Sequence, residues 1–407
     1  MKELRGYQID NSVKASEILK NLGIVYLSMQ VRTGKSSTAL EVCKLNKYYK
    51  VLFLTKKKAI GNIKSDYKDF GYTFDLTVIN NESLHTISDN DFDCIVMDEA
   101  HRLGSYPKPG KMAKDLKKRF ADKPFIFLSG TPTPESYSQI YHQLWVSNHS
   151  PFKMYSNFYK WCKDFVKVKQ KYVSYGLCND YSDANKTIID TFINKYMITY
   201  TQELAGFTSV INEHVLYCDM NDKTHSICKR LTNDLVVQGS SEVILADTPV
   251  KLMQKLHQLY SGTIKFESGN SMIMDNSKGL FIVDKFKGKK IAIFYKFKEE
   301  LNLLKSCYGD KLTTDLEEFN TTDKNIALQI IAGREGISLK AADYLVYLNI
   351  DFSATSYWQS RDRLTTMERK TNDIFFIFAK GGIEDKIFKA VMNKKNFTLS
   401  HFKQEYL

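Results

Sequence analysis

A chain of 407 residues is too long for a single compact core and suits two, with room for an insertion. Its 43% apolar content, with only 20 Gly and 7 Pro, excludes a long disordered or collagen-like chain. No apolar run is long enough to span a bilayer, and the polar start MKELRGYQID has no signal-like stretch, so a cytoplasmic protein with no membrane partner is expected. The seven cysteines never form a CxxC pair, which argues against structural zinc and a disulfide framework. A formal charge of +12 favours a polyanionic partner, although a lysine-rich surface gives the same number.

In chain order, the candidate strands are IVYL (24–27), VLFLT (51–55), CIVMD (94–98) and FIFLS (125–129). A second series follows: IAIFY (291–295), IALQIIA (326–332), YLVYLNI (344–350) and IFFIFA (374–379). Their near-continuous apolar character fits strands buried on both faces of parallel sheets. Helix-period stretches such as KEELNLLKSC (298–307) lie between them. The expected fold is therefore α/β in two lobes, 1–150 and 276–407. The intervening segment 151–275 reads as a helical, basic insertion. Within it, SNFYKWCKDFVKVKQKY places Phe158, Trp161, Cys162, Phe165 and Val168 at helical spacing among many lysines. This spacing predicts an aromatic stripe in the core and a basic face in solvent, compatible with contact to phosphates.

Two segments carry chemistry. MQVRTGKSS (29–37) lies between a strand and a helix-like run, where a turn ending in GKS aims backbone N–H groups and a helix N-terminus at phosphate. Gly34 allows close approach, Lys35 reaches the β- and γ-phosphates, and Ser36 is placed for Mg²⁺. Met29 stands where the usual pattern has its first glycine. The second segment, DCIVMDEAH (93–101), delivers Asp98 and Glu99 at a strand's C-terminal end. Asp98 fits the Mg²⁺ role and Glu99 the positioning of an attacking water.

DEAH (98–101) followed by SGTP (129–132) resembles motifs II and III of superfamily 2 helicases, most closely the Swi/Snf ATPase branch in its compact phage and bacterial form. LRGYQ (4–8) resembles the adenine-sensing element of that branch, FLTKK (53–57) motif Ia, and INNESL (79–84) the next DNA-facing element. SGTPTPESYSQIYHQLW (129–145) is similar to the family's segment after motif III. IAIFYKFKEEL (291–301), IIAGREGISLKAADYLVYLN (330–349) and SYWQSRDRL (356–364) resemble motifs IV, V and VI.

The resemblance implies two RecA-like P-loop NTPase lobes with ATP and Mg²⁺ in the cleft between them. It implies nucleotide contacts from Gln8, Thr33, Gly34, Lys35, Ser36, Ser37, Asp98 and Gly336, with Ser36 and Asp98 on the metal. Catalytic roles fall to Lys35, Glu99 and a motif VI arginine. His101, Ser129, Thr131 and Gln359 would couple the γ-phosphate to the nucleic acid, although local capping would explain such a His or Ser-Thr pair equally well. Thr55 and Lys56 are DNA-contact candidates. In motif VI, Gln359 and Arg363 match Gln-x-x-Gly-Arg-x-x-Arg, but Asp362 replaces the glycine and Thr366 the second arginine. Arg363 is then the cleft residue and Arg369 a candidate displaced finger. The implied activity is ATP-driven movement on duplex or branched DNA, rather than RNA. A strand-separating helicase and a non-enzymatic DNA-binding scaffold remain the alternatives.

Overall fold

A computed structural model describes residues 2–173, 176–239, 241–333, 337–366 and 369–393. The chain forms two compact units, Met1–Phe207 and Thr208–Leu407. Among the described residues no helix is long and apolar enough to cross a membrane.

The first unit opens with α1 (Gly6–Leu22), β1 (Ile24–Met29), α2 (Lys35–Leu45), β2 (Lys50–Thr55), α3 (Ile60–Asp69) and β3 (Asp75–Asn80). It continues with β4 (Cys94–Asp98), α4 (Lys111–Phe120), β5 (Phe125–Leu128), α5 (Gln139–Trp145) and α6 (Phe158–Phe165). The hairpin β6 (Lys169–Val173) and β7 (Gly176–Asp180), then α7 (Lys186–Ile193) and β8 (Met197–Tyr200), complete it. Its sheet has the order β3-β2-β4-β5-β1-β8, and every pairing is parallel.

Alternation along the strands sorts the two faces. Val25, Leu27, Val51, Phe53, Val96 and Ile126 pack against α1, α2 and α3. Their neighbours Tyr26, Leu52, Leu54, Ile95, Met97 and Phe127 pack against α4, α5, α6 and α7. Because both faces are covered, the strands read as unbroken apolar runs.

The second unit begins with β9 (Val210–Cys218), α8 (Asp222–Asp234), β10 (Val236–Gln238), β11 (Val243–Leu245), α9 (Pro249–Leu259), β12 (Thr263–Lys265), β13 (Ser271–Ile273) and α10 (Ser277–Lys285). Next come β14 (Ile291–Tyr295), α11 (Lys298–Tyr308), β15 (Leu312–Thr313), α12 (Leu316–Thr321), β16 (Asn325–Gln329) and α13 (Ile330–Gly333). β17 (Tyr344–Tyr347), α14 (Ala354–Arg361), β18 (Thr371–Ala379) and α15 (Glu384–Met392) close it. Its six-stranded sheet, in the order β15-β16-β14-β17-β18-β9, is again parallel throughout.

The segment expected as an insertion at 151–275 is shared between the units. Its first part adds β8 to the edge of one sheet, and its second part adds β9 to the edge of the other. It is helical only in part, because these edge strands and three small antiparallel hairpins run through it.

Candidate active site

In a parallel sheet the C-terminal ends of neighbouring strands open on one edge, which is where α/β folds bind ligands. The loops after β1, β2, β4 and β5 therefore meet in the first unit. The loop after β1 places Arg32 and Gly34 in left-handed conformation, with φ of +64° and +83°. Gly34 is also sterically required, since a Cβ there would lie 1.9 Å from Gln8 Nε2. The Gln8 carbonyl oxygen accepts the Arg5 N–H at 2.8 Å, so its amide NH₂ is the end turned to the loop.

Thr33, fully buried, donates its hydroxyl to the Gln30 carbonyl at 2.7 Å, and Lys35 Nζ reaches the same carbonyl at 3.1 Å. Both therefore fold over the loop that would receive phosphate. Ser36 is half-buried in the first turn of α2, whose N-terminus begins at Lys35. Ser37 turns the other way, donating to Asp66 on α3 at 3.3 Å; it holds the helix rather than facing the loop.

Asp98 and Glu99 end β4 as expected, but their environments differ. Asp98 accepts the Thr55 hydroxyl at 2.7 Å and the Glu99 backbone N–H at 3.0 Å. Burial and the adjacent Glu99 charge push its pKa up to about 6, against the pull of the Thr55 hydrogen bond, Lys35 and Lys56. Glu99 is held at φ +53°, a left-handed position that a non-glycine residue adopts only when its surroundings fix it. Its carboxylate meets His101 Nδ1 at 3.3 Å and Lys56 Nζ at 3.9 Å.

His101 Nδ1 also lies 3.0 Å from the Ser129 hydroxyl, and Ser129 Oγ accepts the Thr131 N–H at 3.1 Å. Glu99, His101 Nδ1, Ser129 and Thr131 therefore form one chain of contacts, with Nδ1 shared between Glu99 and Ser129, crossing from the end of β4 to the loop after β5. Gly130 lies against the phosphate loop, where a Cβ would meet the Met29 carbonyl at 3.4 Å.

The model of the SNF2-related domain matches residues 28–274 of this chain. The chain belongs to the SNF2-related family. It is a superfamily 2 protein of the Swi/Snf ATPase branch, and each of its two units carries a six-stranded parallel sheet. Two solved structures from Sulfolobus solfataricus are similar to the SNF2-related chain. The SWI2/SNF2 ATPase core in complex with dsDNA is 16% identical, with a TM-score of 0.44, covering 99% of this chain and 92% of that one. The SWI2/SNF2 ATPase core domain is also 16% identical, with a TM-score of 0.43 and coverage of 100% and 90%. No curated protein matches.

Two expectations change with the geometry of this SNF2-related site. Thr55 is wholly buried and its hydroxyl is engaged by Asp98, so it shapes the acidic centre instead of offering a DNA contact. Lys56 points its ammonium at Glu99 and belongs to the same centre.

In the second unit, Arg363 is buried, its Nε donating to the Gln359 carbonyl at 2.9 Å and Nη1 to the Ile337 carbonyl at 3.3 Å. Gln359 is buried, and its side-chain oxygen has no hydrogen-bond partner among the described residues. Arg369 binds the carbonyls of Ala342 (2.7 Å) and Asp343, tying the turn before β17 to the loop before β18. That is the arrangement of a brace at the N-terminal ends of two strands, not of a displaced finger. Arg361, after Gln359 on α14, stacks on Trp358 and lies 3.5 Å from Glu213. Gly336 lies outside the described residues.

Sequence reading missed the supports of the SNF2-related site. Gln202, just after β8, donates its backbone N–H to the Gln30 side chain at 2.7 Å and its amide to the Val31 carbonyl at 3.0 Å, clasping the phosphate loop. Tyr7 stacks on Tyr200 at 4.8 Å, linking α1 to the same clasp. Gln143 of α5 accepts the Tyr26 hydroxyl at 2.7 Å and donates to the Pro132 carbonyl at 2.7 Å, fixing the loop that carries Ser129. Gln202 lies outside every motif, and Tyr7 and Gln143 lie within motif segments without a role of their own in the pattern, because all three act through folded contacts distant in sequence.

Proposed function

We propose that this protein is a DNA-dependent ATPase that moves along duplex or branched DNA. The observation that carries the reading is the chain of contacts from Glu99 through His101 Nδ1 to Ser129 and Thr131, set beside a phosphate loop on which Lys35 folds back to the Gln30 carbonyl.

The residues present fit ATP and Mg²⁺. Among the described residues there is no cluster of three His, Cys, Asp or Glu that would make a dedicated metal cage. One carboxylate and one hydroxyl, with substrate phosphates and water completing the shell, is the donor set Mg²⁺ favours. Ser36 and Asp98 would hold it, and it would neutralise phosphate charge. Lys35 and the N-terminus of α2 would hold the β- and γ-phosphates. Gln8 and Thr33 would keep the loop in shape, and Gln8 would present its NH₂ group to the nucleotide. Glu99, fixed by His101 and Lys56, would orient and polarise the attacking water. Arg363 is the arginine we assign to hydrolysis from the second unit, with Gln359 beside it as the coupling residue.

A chain of contacts that touches Glu99 at one end and the Thr131 backbone at the other lets a change at the Ser129 loop alter the geometry of the catalytic acid. Hydrolysis would thereby depend on what binds that loop's surroundings. The test is ATP turnover measured with single-stranded, duplex, forked and four-way DNA and with duplex RNA. Strong stimulation by duplex or branched DNA supports the proposal, and equal rates with and without every nucleic acid refute it. Displacement of a strand from the forked substrate would assign strand separation to the same motor.

A further inference from the structure

The segment around α6 supplies none of the site residues above, yet the stretch from Lys153 to Lys171, both included, holds six lysines and one acid. Packing decides which way they face. Phe158, Trp161, Cys162 and Phe165 are all buried, and the Trp161 and Phe165 rings stack at 4.9 Å. The opposite side of α6, with Lys160 and Lys163, is thereby fixed in solvent. A bridge between Val166 and Ala184 then starts the β6–β7 hairpin, placing exposed Lys167 and Lys169 at alternate positions on one face of the extended chain.

Lys163 and Lys167 line a single concavity of about 490 Å³, together with Asp164, Asp183 and the α7 cap Asn185. Both acids are already engaged, Asp164 by the Tyr155 hydroxyl at 2.7 Å and Asp183 by Lys169 at 2.7 Å. Lys160, Lys163 and Lys167 have no carboxylate partner among the described residues.

The ridge is also fastened to the coupling loop. Ser136 donates to the Ser182 carbonyl at 2.7 Å and Ser138 to the Tyr181 carbonyl at 2.5 Å, joining the base of the hairpin to the chain just after Thr131.

We propose that α6 and β6 form a cationic ridge that holds the phosphate backbone of duplex DNA, a contact surface separate from the motif loops. This rests on the DNA-motor reading. Lysine ammonium groups act as point charges and suit sequence-independent phosphate contacts. Tyr159 and Val168 are exposed on the same segment, but they stand singly among the lysines, and the charge outnumbers the apolar surface that a protein partner would require.

The test uses the full chain carrying Lys160→Gln, Lys163→Gln and Lys167→Gln, three exposed changes that leave the aromatic stripe intact. Duplex DNA affinity is measured by fluorescence anisotropy across a salt series. Each lost phosphate contact lowers the slope of log affinity against log salt by about 0.9, so a fall of about 2 to 3 is expected. ATP affinity without DNA should not change. A control with Lys14→Gln, Lys20→Gln and Lys64→Gln removes the same charge from α1 and α3, and should leave the slope near that of the unmodified protein. If the ridge variant keeps the control's slope while DNA still stimulates turnover, the ridge proposal alone is overturned. If the unmodified protein neither binds duplex DNA nor responds to it, the motor reading fails and the ridge proposal falls with it.

Discussion

Thr55→Val is the sharpest probe of the acidic centre. Valine keeps the branched shape in a fully buried strand end and removes only the hydroxyl that donates to Asp98 at 2.7 Å. A hydrogen bond to a charged group contributes roughly 1.5–3 kcal/mol. One pKa unit corresponds to about 1.4 kcal/mol, so the Asp98 pKa should rise by about 1–2 units from its value of about 6. At pH 7 the unmodified carboxyl is then about nine-tenths ionised, and the variant's between a tenth and a half. Mg²⁺ must displace that proton, so the variant's apparent Mg²⁺ affinity at pH 7 should fall about two- to tenfold and recover towards pH 9. The sign for stability follows from the same shift. A carboxyl whose folded pKa is raised favours the folded state below its unfolded value near 4, and that contribution is lost as pH rises to about 6. Without Mg²⁺ the variant should extend this loss to higher pH. The assay is a Mg²⁺ titration of ATP turnover at several pH values, paired with thermal melts. An unchanged Mg²⁺ dependence on pH would refute the role given to Thr55 and the acidity assigned to Asp98.

Glu99→Gln should still bind ATP but lose turnover by about 10²-fold or more, whereas Lys35→Ala should lose nucleotide affinity itself; binding and rate measured separately decide this. Ser129→Ala removes one of the partners of His101 and the hydroxyl that accepts the Thr131 N–H, and a buried N–H left unsatisfied costs about 1–3 kcal/mol. The ratio of DNA-stimulated to basal turnover should drop more than ATP affinity, and an unaltered ratio would refute coupling through this chain of contacts. Arg363→Ala should reduce stimulated turnover by about 10³-fold if it is the arginine of hydrolysis. Arg369→Ala, by contrast, should lower the melting temperature with little effect on rate, because its bonds brace two strand starts.

Central strands were legible in sequence because both faces are buried. β1, β2, β4 and β5 in the first unit, and β14, β17 and β18 in the second, stand close to their expected positions, whereas the strand expected over 326–332 ends at Gln329 and Ile330 begins α13. The edge strands were not. β9, VINEHVLYC, pairs along its whole length with β18 yet is mostly half-buried, so Asn212, Glu213 and His214 interrupt any apolar run. β3 and β8 sit at the sheet edges of the first unit, with the same mixed character. This is why 151–275 read as a separate segment: its sheet-forming parts carry an edge strand's sequence, and only the stripe of α6 has a clear period.

The site divides along a similar line, between chemistry that one loop encodes and positioning that folding assembles. Gly34, Lys35, Asp98 and Glu99 are recognisable because each motif keeps reacting groups within a few residues of one strand end. Which neighbour a side chain meets is set instead by strand order. β2 lies beside β4, and so Thr55 reaches Asp98 and Lys56 reaches Glu99 rather than a bound strand of DNA. β5 lies on the other side of β4, which brings Ser129 to His101. β8 lies beside β1, which brings Gln202 to the phosphate loop. A parallel sheet with this order thus converts five short loops, spread from Gln30 to Gln202, into one site braced on both sides. The left-handed backbone at Glu99 is held where these braces converge, with His101 and Lys56 fixing the carboxylate from two different loops. Loss of either brace should therefore disturb the geometry of Glu99 without removing the acid itself.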